Sequence, residues 1–155
     1  MPQCASTTTQ SRADHAALMS TIVLVSCVKT KRNHPCKAGE MYTSALFQKM
    51  MAYAQRLNAK SIFILSAKYG LLSTETIIDP YEQTLKNMKS AERHQWARGV
   101  VSELRRHCDL DADNFVFLAG MPYRENLVSH LKHHEVPMEG LPFGKQLQWL
   151  ERQLK

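Results

Sequence analysis

Ile22-Val23-Leu24-Val25-Ser26-Cys27-Val28-Lys29-Thr30-Lys31 is the stretch whose reading decides the fold. Four branched apolar residues in a row are too few for a helix and suit a strand covered on both faces. The run then breaks into small, polar and cationic residues, the pattern of a strand's carboxyl end in an open parallel sheet, where ligands bind. Two later stretches repeat it. Ile62-Phe63-Ile64-Leu65 runs into Ser66-Ala67-Lys68-Tyr69-Gly70, and Phe115-Val116-Phe117-Leu118 runs into Ala119-Gly120-Met121-Pro122-Tyr123-Arg124. Three such strands side by side line up their polar turns along one edge, and that edge is the candidate site.

Between these strands the period changes. Tyr42, Leu46, Met50, Tyr53 and Leu57 recur at three- and four-residue steps and predict a helix from Thr43 or Ser44 to about Asn58. Residues 90–107 predict a second helix that turns Trp96, Val100, Val101 and Leu104 inward. Asp79-Pro80 forces an extended or turned segment, and Thr30 to Gly39 reads as a loop. Pro122 suits the start of a short helix reaching Lys132, Val136-Pro137-Met138 an edge strand, and Lys145 to Leu154 a final helix. This order implies an α/β fold: a three-layer α/β/α sandwich around a mainly parallel four-stranded sheet.

A chain of 155 residues can bury a core without disulfides or metal. Residues 1–18 are polar and lack the apolar run of a secretory signal. They read as a disordered tail, or translation begins at Met19; residues 19–155 form the single domain. The charge of +6 and pI near 9.3 favour a polyanionic partner, nucleic acid or a phosphorylated ligand. No window approaches the roughly 20 apolar residues of a membrane span. Cys4, Cys27, Cys36 and Cys108 show no CxxC pairing, so reduced thiols and a cytoplasmic location are expected. There is no Walker or dinucleotide glycine fingerprint, so no cofactor is expected. His130 and His134 stand four apart, but no third ligand accompanies them, and they read as a solvated face rather than a metal site.

The turns carry the candidate chemistry. Ser26, Cys27, Lys29 and Lys31 offer a hydroxyl, a thiol and amines for a phosphate, against the alternative of a plain solvated loop. Cys27 as a small buried hydrophobe is the commoner role for such a residue. Glu40 suits a helix-start carboxylate, Ser44 a cap, and Tyr42 either packing or a stacking face. Ser66, Lys68 and Tyr69 form a second polar turn, with Gly70 suited to positive φ. Asp79, held before Pro80 and Tyr81, is a candidate water-activating or charge-stabilising carboxylate, or else simply organises the turn. Gly120, Tyr123 and Arg124 offer an exposed amide, a phenol and a planar cation.

Together these turns resemble a group of short uncharacterised α/β proteins of bacteria and phages, distant relatives of the peroxide-stress proteins. The residues carrying the likeness are Ser26-Cys27 with Lys29 and Lys31, Tyr42-Thr43-Ser44 with Leu46-Phe47, Leu65 to Leu71 and Asp79-Pro80-Tyr81. Leu118-Ala119-Gly120 with Tyr123-Arg124, Pro137 to Gly140 and Gly144 to Leu147 complete it. The wider group is similar to the uracil-DNA-glycosylase type of sandwich, and antiphage glycosylases are part of what the resemblance implies. There is no Gly-x-Asp-Pro-Tyr after the first strand and no late His-Pro-Ser, so uracil itself is not the expected base. The reading is an N-glycosidic bond hydrolase acting on a modified base in DNA. Asp79 is the first catalytic candidate and Glu40 the second. DNA is the expected partner, with no protein partner evident. A glycosidase or transferase for free nucleosides or nucleotides, and a non-catalytic DNA-binding stress protein, are the rivals.

Overall fold

The computed structural model describes residues 20–155; the expected tail at 1–18 lies outside them. The chain forms β1 (Thr21–Ser26), β2 (Cys36–Lys37), α1 (Ala38–Met41), α2 (Ala45–Arg56), β3 (Ser61–Ser66), β4 (Gly70–Ser73) and β5 (Ile77–Ile78). A 3-10 turn at Leu85–Asn87 precedes α3 (Ser90–His107), β6 (Asn114–Leu118) and α4 (Met121–Arg124). A second 3-10 turn at Val128–His130, β7 (His133–Glu135) and α5 (Phe143–Gln153) complete it. The fold is α/β, with five strands in the order β4-β3-β1-β6-β7.

The three strands expected from their apolar runs stand at its centre. β1 pairs in parallel with β3, Ile22 opposite Ser61, and with β6, Ile22 opposite Phe115. Alternate side chains go to opposite faces, as the pleat requires. Val23, Val25, Ile64, Val116 and Leu118 pack under Phe47, Met50 and Ala54 of α2 and Leu150 of α5. Ile22, Leu24, Leu65, Phe115 and Phe117 pack under Ala97, Val100, Val101 and Leu104 of α3. Each of the larger of these side chains, Val, Leu, Ile, Phe or Met, contributes about 1.5–3 kcal/mol by its burial. α2 begins where expected: the Ser44 hydroxyl accepts the Phe47 amide at 3.1 Å. A cap of this kind stabilises a helix by about 1 kcal/mol.

Four expectations need correction. The sheet has five strands, not four, because Gly70–Ser73 turns back antiparallel on β3, with Ser66 opposite Gly70. Gly70, at φ +75°, closes that hairpin. The edge strand is His133–Glu135 rather than 136–138; Pro137 lacks the N–H a ladder uses, and the chain has already left the sheet. The helix expected over 123–132 shrinks to α4 and the second 3-10 turn. The loop after β1 contains β2, which pairs with β5, Cys36 opposite Ile78. α1 follows, packed close enough that a Cβ on Gly39 would stand 3.2 Å from the Thr74 carbonyl, tighter than ordinary contact.

Candidate functional site

Sheet order locates the site before any side chain is considered. From β1 the chain leaves toward β3 over one face, through α2. From β6, on the other side of β1, it leaves through a segment whose Leu127 and Leu131 pack on the opposite face. Loops that part in this way open a crevice between the carboxyl ends of β1 and β6, the usual ligand position in open α/β sheets. A cleft of about 850 Å³ lies there. Ser26, Cys27, Lys29 and Lys31 line it from β1, and Gly120, Pro122 and Tyr123 from β6. The third wall is Tyr81 to Thr84 with Lys86 and Asn87.

Backbone pairing aims the β1 loop. The Arg32 amide donates to the Met41 carbonyl at 2.8 Å and the Thr43 amide to the Thr30 carbonyl at 3.1 Å, so Lys31 is bridged to Tyr42. The Lys31 ammonium then sits 4.7 Å from the Tyr81 ring centre and 5.8 Å from that of Tyr42, a cation held on aromatic faces. Partial burial lowers its pKa, an effect opposed by the nearby Cys27 and Glu82.

Behind the cleft wall stands a hydroxyl network. The Tyr42 and Tyr81 hydroxyls are 2.5 Å apart, and the Ser66 hydroxyl donates to Tyr81 at 2.8 Å. Ser66 in turn accepts the Tyr69 amide at 3.0 Å, and its carbonyl accepts the Trp96 indole N–H at 2.8 Å. Trp96 packs edge-on against Tyr123, whose hydroxyl accepts the Cys27 thiol at 3.3 Å. Burial pushes the Tyr42, Tyr81 and Tyr123 hydroxyls above the ordinary phenol range. They are neutral hydrogen-bonding groups at any physiological pH.

Of the residues singled out in the sequence, Ser26, Cys27, Lys29, Lys31, Tyr81, Gly120 and Tyr123 meet in the cleft. Tyr42 and Ser66 support it from behind. Lys68 and Tyr69 line a shallower neighbouring hollow with Trp96, and Arg124 lies in a chamber behind Ser26 and Gly120. Asp79 and Glu40 are both exposed, and neither belongs to the cleft's lining. Asp79 stays at the same edge, its amide donating to the Tyr69 hydroxyl at 3.3 Å.

The carboxylate in the lining is Glu82, which sequence reasoning missed. Its segment has no strand, glycine or helix signal. The available sign was spacing: Tyr81 and Leu85, four apart, are buried anchors, while Glu82, Gln83, Lys86 and Asn87 are exposed between and beside them. The arrangement therefore gathers three lysines, one carboxylate, two phenols and a thiol around one cleft. Among the described residues no cluster of three metal-ligating side chains occurs, and no helix is long and apolar enough to cross a membrane.

A family model described as a family of unknown function matches residues 22–152, a span that includes every residue of the cleft. No curated protein and no solved structure matches the chain.

Proposed function

We propose that this chain, which belongs to the DUF6884 family, hydrolyses the N-glycosidic bond of a modified base in DNA at the β1–β6 cleft. The observation that carries the reading is Glu82 set among Lys29, Lys31 and Lys86 at the point where the loops of an open α/β sheet part. The sandwich type that the turn motifs resemble supplies the reaction class. An extruded nucleotide needs a basic rim for its flanking phosphates, an aromatic wall for its base and a carboxylate near the sugar. Lys29 and Lys86 form the rim, Tyr81 and Tyr123 the wall, and Glu82 replaces Asp79 as the carboxylate.

The chemistry follows from those roles. Glu82 takes a proton from a water that attacks the anomeric carbon and stabilises the positive charge developing on the sugar. The base departs with the bonding pair and receives a hydrogen bond from the neutral Tyr123 hydroxyl. Holding the Tyr81 ring by Tyr42 and Ser66 keeps that wall rigid before the substrate arrives.

The test is incubation of the purified protein with duplex DNA carrying modified bases, with unmodified duplex and with free nucleotides, followed by mass analysis of released bases. Base release from the modified duplex alone is the expected result. Release from free nucleotides only makes the enzyme a nucleotide glycosidase, and duplex binding with no release from any substrate removes the enzymatic reading.

A further inference from the structure

A guanidinium inside a fold needs an anion or a full set of acceptors. Arg124 is 8% exposed. Its Nε donates to the Ala119 carbonyl at 3.2 Å, and its Nη1 approaches the Met121 thioether at 3.5 Å, a weak acceptor. Among the described residues the ion pairs formed by arginine are those of Arg93 and Arg106, and no carboxylate pairs with Arg124. A guanidinium carries five N–H donors in a fork that fits an oxyanion. Most of that fork is unused.

The side chain lines a chamber of about 360 Å³ with Ser26, Gly120 and Gln146 among otherwise mostly apolar walls such as Met50, Phe117 and Met138. No aspartate or glutamate lines it. Ser26 and Gly120 belong to the chamber and to the cleft alike, so the two spaces meet at those residues. A buried cation facing an acid-free chamber that adjoins a ligand cleft is the arrangement of a subsite whose counter-ion arrives with the ligand.

We infer that Arg124 and its chamber form an oxyanion subsite of the cleft, taking one compact phosphate or carboxylate group of the bound ligand. This rests on the proposed function only in assigning the cleft to a nucleotide. Two sources share the chemistry: an anionic substituent on the base, or the phosphate of a free nucleotide.

The test compares thermal unfolding of the wild type and Arg124→Met with low-millimolar inorganic phosphate added to a phosphate-free buffer. Without phosphate the variant is expected to stay close to the wild type in stability, since an unpaired guanidinium gives way to an apolar chain of similar length at the cost of one bond to the Ala119 carbonyl. At about ten times Kd, phosphate should raise the wild-type Tm by roughly 3 °C or more and leave the variant unmoved. No shift in the wild type, or the same shift in both proteins, overturns the subsite. Should Arg124→Met fail to fold, Arg124→Lys keeps the charge and loses the fork. It is expected to bind phosphate at least about tenfold more weakly in equilibrium dialysis; unchanged affinity overturns the proposal.

A nucleoside with a carboxylated base, a nucleoside 5′-monophosphate and a plain nucleoside identify the source. Tighter binding of either anionic compound than of the plain nucleoside, lost in the variant, supports the subsite and names its ligand; no such gain from either overturns it. A protein that binds phosphate through Arg124 yet releases no base keeps the subsite and loses the reaction. One that releases base with Arg124-independent phosphate binding loses the subsite alone.

Discussion

Tyr81→Phe removes one oxygen from the centre of the network behind the cleft. That oxygen lies 2.5 Å from the Tyr42 hydroxyl and 2.8 Å from that of Ser66, on residues 2% and 0% exposed. Each buried hydroxyl deprived of its partner costs about 1–3 kcal/mol. Ser66 still accepts the Tyr69 amide, so its share falls at the low end. The sum is about 2–4 kcal/mol, or roughly 6–12 °C in Tm for a domain of this size. Tyr42→Phe should cost less, about 1–3 kcal/mol, since it breaks the Tyr42–Tyr81 bond and leaves Ser66 its bond to Tyr81. The double variant should then be less destabilised than the sum of the two by about 1 kcal/mol or more, since removing both partners leaves fewer unsatisfied groups. Urea unfolding of the four proteins measures the cycle. A Tyr81→Phe cost below about 0.5 kcal/mol, or additivity within about 0.3 kcal/mol, refutes a network that fixes the wall.

Alkaline stability follows from the same burial. Because the folded-state pKa values of Tyr42, Tyr81 and Tyr123 are raised, their contribution is complete below the unfolded phenol value near 10 and is lost as pH climbs above it. Absorbance at 295 nm should therefore show these three ionising together with unfolding, not before it. Gly70→Ala should destabilise by about 1–2 kcal/mol through its positive φ alone, because the added Cβ meets nothing closer than Val100 at 3.9 Å. Gly99→Ala, in an open position within α3, should instead stabilise by about 0.5–1 kcal/mol in the same melts. Lys29→Ala should weaken duplex binding and lower the slope of log affinity against log salt by about one phosphate contact, measured by titration at several salt concentrations.

The parts of the fold that could be read ahead were those with a strong apolar signal. β1, β3 and β6 announced themselves as branched runs ending in polar turns, and α2 by its spacing and its Ser44 cap. β4 did not, because four residues after Lys68-Tyr69 look like the turn they follow; only pairing with β3 makes them a strand. β7 was hidden for the opposite reason. His133, His134 and Glu135 are all exposed, and they join the sheet by backbone pairing with Asn114 to Val116 rather than by apolar burial.

The same limit applies to the site. Turns following strands were legible because strand ends converge by topology, which is how Ser26, Lys31, Gly120 and Tyr123 were found in one cleft. The carboxylate was not. Asp79 was attractive because proline fixes its backbone, yet that rigidity directs the next segment, and Tyr81 and Leu85 anchor Glu82 against the cleft. The two carboxylates stand three positions apart in the chain, and only tertiary packing distinguishes them.

Base release by Glu82→Gln and Asp79→Asn on the same modified duplex tests that distinction, and with it the assignment of the β1–β6 cleft as the reaction site. Both changes keep size and remove charge. Loss of a carboxylate acting on water or on the developing sugar cation should slow release by about a hundredfold or more in Glu82→Gln while duplex affinity holds. Asp79→Asn, outside the cleft, should release base at close to the wild-type rate. A Glu82→Gln protein with near-normal release, or an Asp79→Asn protein that has lost it, contradicts the account.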